Sequence, residues 1–197
     1  MNFFPDDPPA DDQPEFETPQ NPRWKPSDLE LPRLFPIAEA LVVTDTVAII
    51  VMGARVYSTG VEFMIERRMR RGERTEQEWH VAQWQFHGMH GRPDPGRLRY
   101  GVALGDGQHV LLDAFGMMHL GEEAEPAGHS LFPTNGNGSG SGDIYVNQDG
   151  MWLWPLPPEG SIEIVAQWPA EGVGESRVVI DSAPLRELAA AVRPIWE

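Results

Sequence analysis

Histidine is the side chain best suited to chemistry near neutral pH, and this chain has six: His80, His87, His90, His109, His119 and His129. Only His87-x-x-His90 has ligand-like spacing, with His80 near enough along the chain to approach it. A zinc site asks for three or four converging ligands. The pair lies in a run of glycines and prolines between His87 and Gly96, and no third ligand follows at a fixed interval. His87 and His90 are the candidate metal ligands, weighed against two solvated loop histidines.

Nucleophilic chemistry finds less to work with. There is no cysteine, which excludes a thiol nucleophile, a thiolate site and a disulfide. No serine stands in a G-x-S-x-G elbow; Gly138-Ser139-Gly140 comes nearest, inside the run from Asn135 to Gly142. That run is no phosphate loop either, because no Gly-Lys-Ser/Thr follows and the next residues, Ile144-Tyr145-Val146, read as a strand. It reads instead as the end of a flexible polar linker from Gly121 to Gly142. The 30 acidic residues allow many carboxylate pairs, but spacing selects none of them. The catalytic and cofactor sets are empty, and no cofactor is expected.

Arg67, Arg68, Arg70, Arg71 and Arg74, with Trp79 and Trp84 close by, resemble a basic-aromatic stripe for single-stranded nucleic acid. Glu66, Glu73, Glu76 and Glu78 interleave and largely neutralise it, so a salt-bridged, solvated hairpin tip is the plainer reading. Arg67, Arg68, Arg70, Arg71 and Trp84 are the candidate partner contacts. The partner would be acidic: another protein, or this chain's own N-terminus.

The elements that must position these residues are mostly strands. Residues 1–36 hold nine of the 19 prolines and eight acids against Arg23, Lys25 and Arg33, a composition expected to stay a disordered tail. From Leu41 the chain is rich in β-branched residues, and Val61, Phe63 and Ile65 alternate after a turn at Gly60, giving a long hairpin. Trp79 to Phe86 is taken as a returning strand. Asp106-Gly107 joins two further β-patterned runs. Ile162, Ile164, Ala166 and Trp168 show one buried strand face, and Met151 to Trp154 a strand covered on both faces, with the closing helix as its cover. Pro184 and the stripe Leu185, Leu188, Ala189 and Val192 place that helix at about 182–193, with Trp196 tucking back behind it. The expected fold is mostly β: one antiparallel β-sandwich over residues 37–197, immunoglobulin-like or jelly-roll-like, with one short C-terminal helix.

Bulk properties narrow the partners. A net charge of −15 disfavours nucleic acid and anionic membrane surfaces. The N-terminus lacks the basic and apolar regions of a signal peptide, and the longest apolar run is too short to span a bilayer. A cytoplasmic protein is expected, and nothing in the sequence sets its oligomeric state.

Val56-Tyr57-Ser58-Thr59-Gly60-Val61-Glu62-Phe63, Trp152-Leu153-Trp154-Pro155-Leu156-Pro157-Pro158 and Trp168-Pro169-Ala170-Glu171-Gly172 resemble a family of uncharacterised actinobacterial proteins. The resemblance covers most of residues 41–71 and 98–196 and implies the same closing helix, but it carries no activity and no site residues. The expected function is a non-enzymatic binding or adaptor domain with a protein partner. The alternative is a metal-dependent or hydrolase-type enzyme with its site near His80, His87 and His90.

Overall fold

Residues of alternating burial along successive hairpin arms set the architecture. The computed structural model describes residues 23–86, 95–112 and 128–196, the side chains of Gln85, Asn135 and Ser141 excepted. Strands β1 (Glu30–Leu31), β2 (Arg33–Val43), β3 (Val47–Val56) and β4 (Val61–Arg70) precede helix α1 (Glu76–Phe86). Then come β5 (Arg99–Ala103), β6 (His109–Leu111), β7 (Ser130–Ser141), β8 (Ile144–Trp154), β9 (Ser161–Trp168) and β10 (Val173–Asp181). Helix α2 (Ala183–Ala190) and β11 (Arg193–Pro194) close the chain. The strands form a five-stranded sheet in the order β2-β3-β4-β8-β7, a four-stranded sheet β10-β9-β5-β6, and a short β1-β11 pair, all antiparallel.

One core draws on both larger sheets. Ile49, Val51, Phe63, Ile65, Met151 and Leu153 come from the five-stranded sheet, and Val102, Ile162, Ile164 and Trp168 from the four-stranded one. The β9 face is buried as its alternation implies. The β3–β4 hairpin closes where Tyr57 N donates to Gly60 O at 2.9 Å. Gly60 must lack a side chain, because a Cβ there would lie 2.5 Å from both Leu153 O and the Trp152 ring.

Trp79 to Phe86 is helical, not a strand. Thr75 and Glu78 form a capping box: Thr75 N donates to Glu78 Oε2 at 2.8 Å, and Glu78 N donates to Thr75 Oγ1 at 3.3 Å. With that start, Trp79, Ala82 and Phe86 fall on one face and pack in the core, while Val81 and Trp84 point outward. Trp79 Nε1 donates to Gly142 O at 3.2 Å and fastens α1 to the β7–β8 turn.

The glycine-rich run expected as a linker is β7, an edge strand paired with β8 from Ser130↔Trp154 to Ser141↔Ile144. Glycine and serine are poor strand formers, but pairing to a well-packed neighbour supplies the backbone hydrogen bonds they need. The tail boundary also moves. Residues 23–36, expected as tail, belong to the fold: Glu30 accepts from Ser58 N at 2.9 Å and Ser58 Oγ at 2.5 Å, and β2 begins at Arg33. Residues 1–22 lie outside the described residues.

The closing helix is shorter than its apolar stripe. Asp181 Oδ1 accepts from Ala183 N at 2.9 Å at its start, Leu185 and Ala189 are buried, and Arg33 Nη2 donates to Ala191 O at 2.9 Å just past its end. Pro194 draws Arg193 into extended backbone, which is spent on β11 instead. Trp196 does not tuck back; it is 67% exposed.

Candidate functional site

The face of the five-stranded sheet turned away from the core carries the most developed constellation of side chains. Strand period and register put Arg55, Glu62, Trp152 and Phe132 in one row across it, because Arg55 pairs with Glu62, Glu62 with Trp152 and Trp152 with Phe132. Glu62 is only 7% exposed, unusual for a carboxylate, and both its oxygens are held. Arg55 Nη1 donates to Oε2 at 3.0 Å and Thr134 Oγ1 donates to Oε1 at 2.7 Å. Gly150 makes room for this: a Cβ there would stand 1.7 Å from Thr134 Oγ1 and 3.0 Å from Glu62 Oε1.

An aromatic cluster adjoins the carboxylate. The Tyr57 and Trp152 rings meet edge-on at 5.5 Å, Phe132 is buried beside them, and Trp24 and Trp154 pack on the outside. Trp152 Nε1 donates to Arg23 O at 2.8 Å. So Trp152 is covered not by the closing helix, as its apolar strand implied, but by residues 23–28, which cross the sheet as a strap. An ion pair between Lys25 and Asp28 spans the strap's outer side. Burial, and then the neighbouring Glu62 charge, raise the Tyr57 pKa, so its phenol stays protonated and able to donate.

Two clefts meet at Arg55 and Glu62. One, of about 640 Å³, is walled by Trp24, Pro26, Tyr57 and Pro133. The other, of about 530 Å³, runs down the sheet over Met52, Met64 and Gly150 between Glu66 and Gln148. Aromatic and proline walls over a fixed carboxylate and a half-exposed guanidinium suit an extended chain with both apolar and hydrogen-bonding groups.

The arginines singled out from the sequence part company. Arg67 points into the core, on the sheet face opposite Glu62, and lines neither cleft, so it is out of a partner's reach. Its Nη2 donates to Asp149 Oδ1 at 2.9 Å, its Nε also donates to Asp149, its Nη1 donates to Phe86 O at 2.6 Å, and the guanidinium lies 4.6 Å from the Phe86 ring centre. Burial works against the Arg67 charge, but Tyr100 and Asp149 outweigh it and raise the pKa. Asn147 also donates to Asp149, while Asn147 Oδ1 is buried without a hydrogen-bond partner among the described residues. Arg68 and Arg70 point outward on the same sheet face as Glu62. Arg71 sits at the mouth of a cleft beneath α1 with Arg74 and Val81, and Trp84 stands 70% exposed on α1.

His80 is exposed on α1. The pair His87 and His90, and with it any approach of His80, lies outside the described residues. Among the described residues no group of three or more His, Asp or Glu is placed to hold a metal ion. None of their helices is long and apolar enough to cross a membrane.

Arg55, Tyr57, Glu62, Thr134 and Trp24 were not among the candidate site residues read from the sequence, Tyr57 and Glu62 entering only within the family resemblance. Arg55 opposite Glu62 follows from the hairpin register once the turn is set at Gly60. Thr134 hid in a presumed linker, and nothing local marks Trp24 as part of the fold. Compared with protein-family models, curated proteins and solved structures, the chain matches none.

Proposed function

We propose that this chain is a non-enzymatic binding domain that takes an extended peptide segment of a protein partner across the outer face of its five-stranded sheet. The observation that carries the reading is Glu62: a carboxylate nearly closed off from water, anchored by Arg55 and Thr134, at the junction of two open clefts. Such a group can accept from a peptide N–H or a basic side chain while Arg55 donates to a carbonyl. Trp24, Tyr57 and the prolines supply flat apolar walls. We also infer a β-sandwich arrangement, supported by the single core to which both sheets contribute. A cytoplasmic location belongs to the same proposal.

A random heptapeptide library displayed against the full-length protein tests the reading. Selected peptides should bind with affinity reduced about 10-fold or more by Glu62→Gln, as expected for loss of a charge-assisted hydrogen bond. Tyr57→Ala should weaken the same peptides. Binding indifferent to both substitutions in folded variants would refute the assignment.

A further inference from the structure

The strap is attached to the sheet more lightly than the chain that follows it. Among the described residues, residues 23–28 make one hydrogen bond to the sheet, from Trp152 Nε1 to Arg23 O at 2.8 Å. Their other polar contacts close on the strap itself: Lys25 pairs with Asp28, and Ser27 Oγ accepts from Leu29 N at 3.3 Å. Directly afterwards the chain is pinned, with Glu30 accepting from Ser58 N and Oγ and β1 paired to β11. Beneath the strap lie Tyr57, Phe132 and Trp152, an aromatic cluster separate from the main core, and Trp24 packs against it. Trp152 is 1% exposed with the strap in place.

We propose that this aromatic surface anchors the partner's peptide and that the strap is its competitor within the chain, filling the groove until a segment of like chemistry takes its place. The proposal rests on the reading of the outer face as a peptide site and names what the peptide carries. The strap supplies the pattern: a carbonyl for Trp152 Nε1, an indole from the next residue against the aromatic cluster, and a proline two residues further on along the cleft wall. The partner segment therefore has an aromatic residue followed at the second position by proline. Proline suits an aromatic-lined groove because its restricted backbone loses little freedom on docking. Arg23 and Lys25 flank the indole in sequence, and a chain of net charge −15 draws in a segment that is basic in the same way. With the strap on, Trp24 and Pro26 wall the Glu62 cleft; with the strap displaced, that cleft extends across Tyr57 to Trp152 and Phe132. A groove open in only a fraction of molecules binds with affinity reduced by that fraction. Loosening the strap therefore tightens peptide binding.

The test uses full-length protein and the synthetic hexapeptide Arg-Trp-Lys-Pro-Ser-Asp, the sequence of residues 23–28. Trp24→Ala removes the indole from the strap and leaves Trp152 and Glu62 in place. By titration calorimetry the hexapeptide should bind this variant at least about 10-fold more tightly than the parent, and in NMR spectra it should move the Trp152 indole N–H signal. Trp24→Leu keeps an apolar contact on the strap and should fall between the two; it carries the test if the alanine variant does not fold. A hexapeptide with alanine in place of tryptophan should bind at least about 10-fold more weakly. Equal or weaker affinity in the folded Trp24 variants overturns the proposal, as does binding that leaves the Trp152 indole signal unmoved. Failure of the folded variants to bind the hexapeptide overturns it too. Dependence of library peptides on Glu62 is measured on the parent. Peptides that need Glu62 but bind the Trp24 variants no better leave the proposed function standing and remove only this inference.

Discussion

Replacing Asp149 with asparagine isolates the ion pair set inside the core. The substitution keeps shape and one acceptor oxygen but removes the charge facing Arg67. Arg67 has a side chain only 7% exposed, and Phe86 O would be its remaining charge-independent acceptor. Removing one member of a buried pair costs about 3–5 kcal/mol; the Asp149 side chain is 19% exposed, which puts the expected loss near the lower limit, about 3 kcal/mol. For a chain of this size that is a fall in Tm of roughly 6–12 °C. The double substitution Arg67→Met/Asp149→Asn leaves no buried charge and should regain most of the loss, to within about 1 kcal/mol of the parent. Urea unfolding of the parent, both single variants and the double variant completes the cycle. A single Asp149→Asn loss below about 0.5 kcal/mol, or a double variant no better than the worse single one, would show that Arg67 is solvated by other means and refute the argument.

Gly150→Ala should destabilise by about 1–3 kcal/mol through overpacking against Thr134; Thr134→Ala added to it should return part of that loss, and thermal melts read both. Thr75→Ala removes the capping box of α1 and should cost about 1 kcal/mol, seen as faster amide exchange across Glu76–Phe86. All three tyrosines, Tyr57, Tyr100 and Tyr145, are raised above the ordinary phenol value, chiefly by burial. A raised folded pKa gives stability that is complete below the unfolded value near pH 10 and is lost as pH climbs beyond it. Absorbance at 295 nm should therefore stay flat through pH 10 and rise together with loss of near-UV circular dichroism; a tyrosine that ionises near pH 10 in folded protein contradicts this.

Strands that pack one face against the core were legible. Ile162 to Trp168 and Val61 to Ile65 announce themselves by period, because burial on one side leaves every second residue free to be polar. The same logic misjudged Arg67. It keeps step with Phe63 and Ile65, and its inward direction was readable, but its partner Asp149 lies 82 residues away and no local signal joins them. Helix α1 failed for another reason: Thr75-x-x-Glu78 was present as a start signal, yet aromatic residues at alternate positions suggested a strand. β7 and the strap were illegible in principle. Neither has the composition of ordered structure, and each is held by what it lies against, β8 in one case and Trp152 in the other. The cleft at Glu62 inherits that blindness, since two of its walls come from those segments.

The make-up of β7 bears on how the molecule behaves in crowded solution. As the outermost strand of its sheet among the described residues, it presents, beyond the bridge from Leu112 to Leu131, a row of peptide groups that another polypeptide could zip onto. Asn137, Gly138, Ser139 and Gly140 give such an intruder almost no oily side chains to grip. Valines or isoleucines at 137–139 would convert a slippery rim into an adhesive one, whereas at Gly140 even a Cβ would stand 2.4 Å from the Tyr145 ring, so glycine there serves the pairing to β8 as well as resistance to fibre growth.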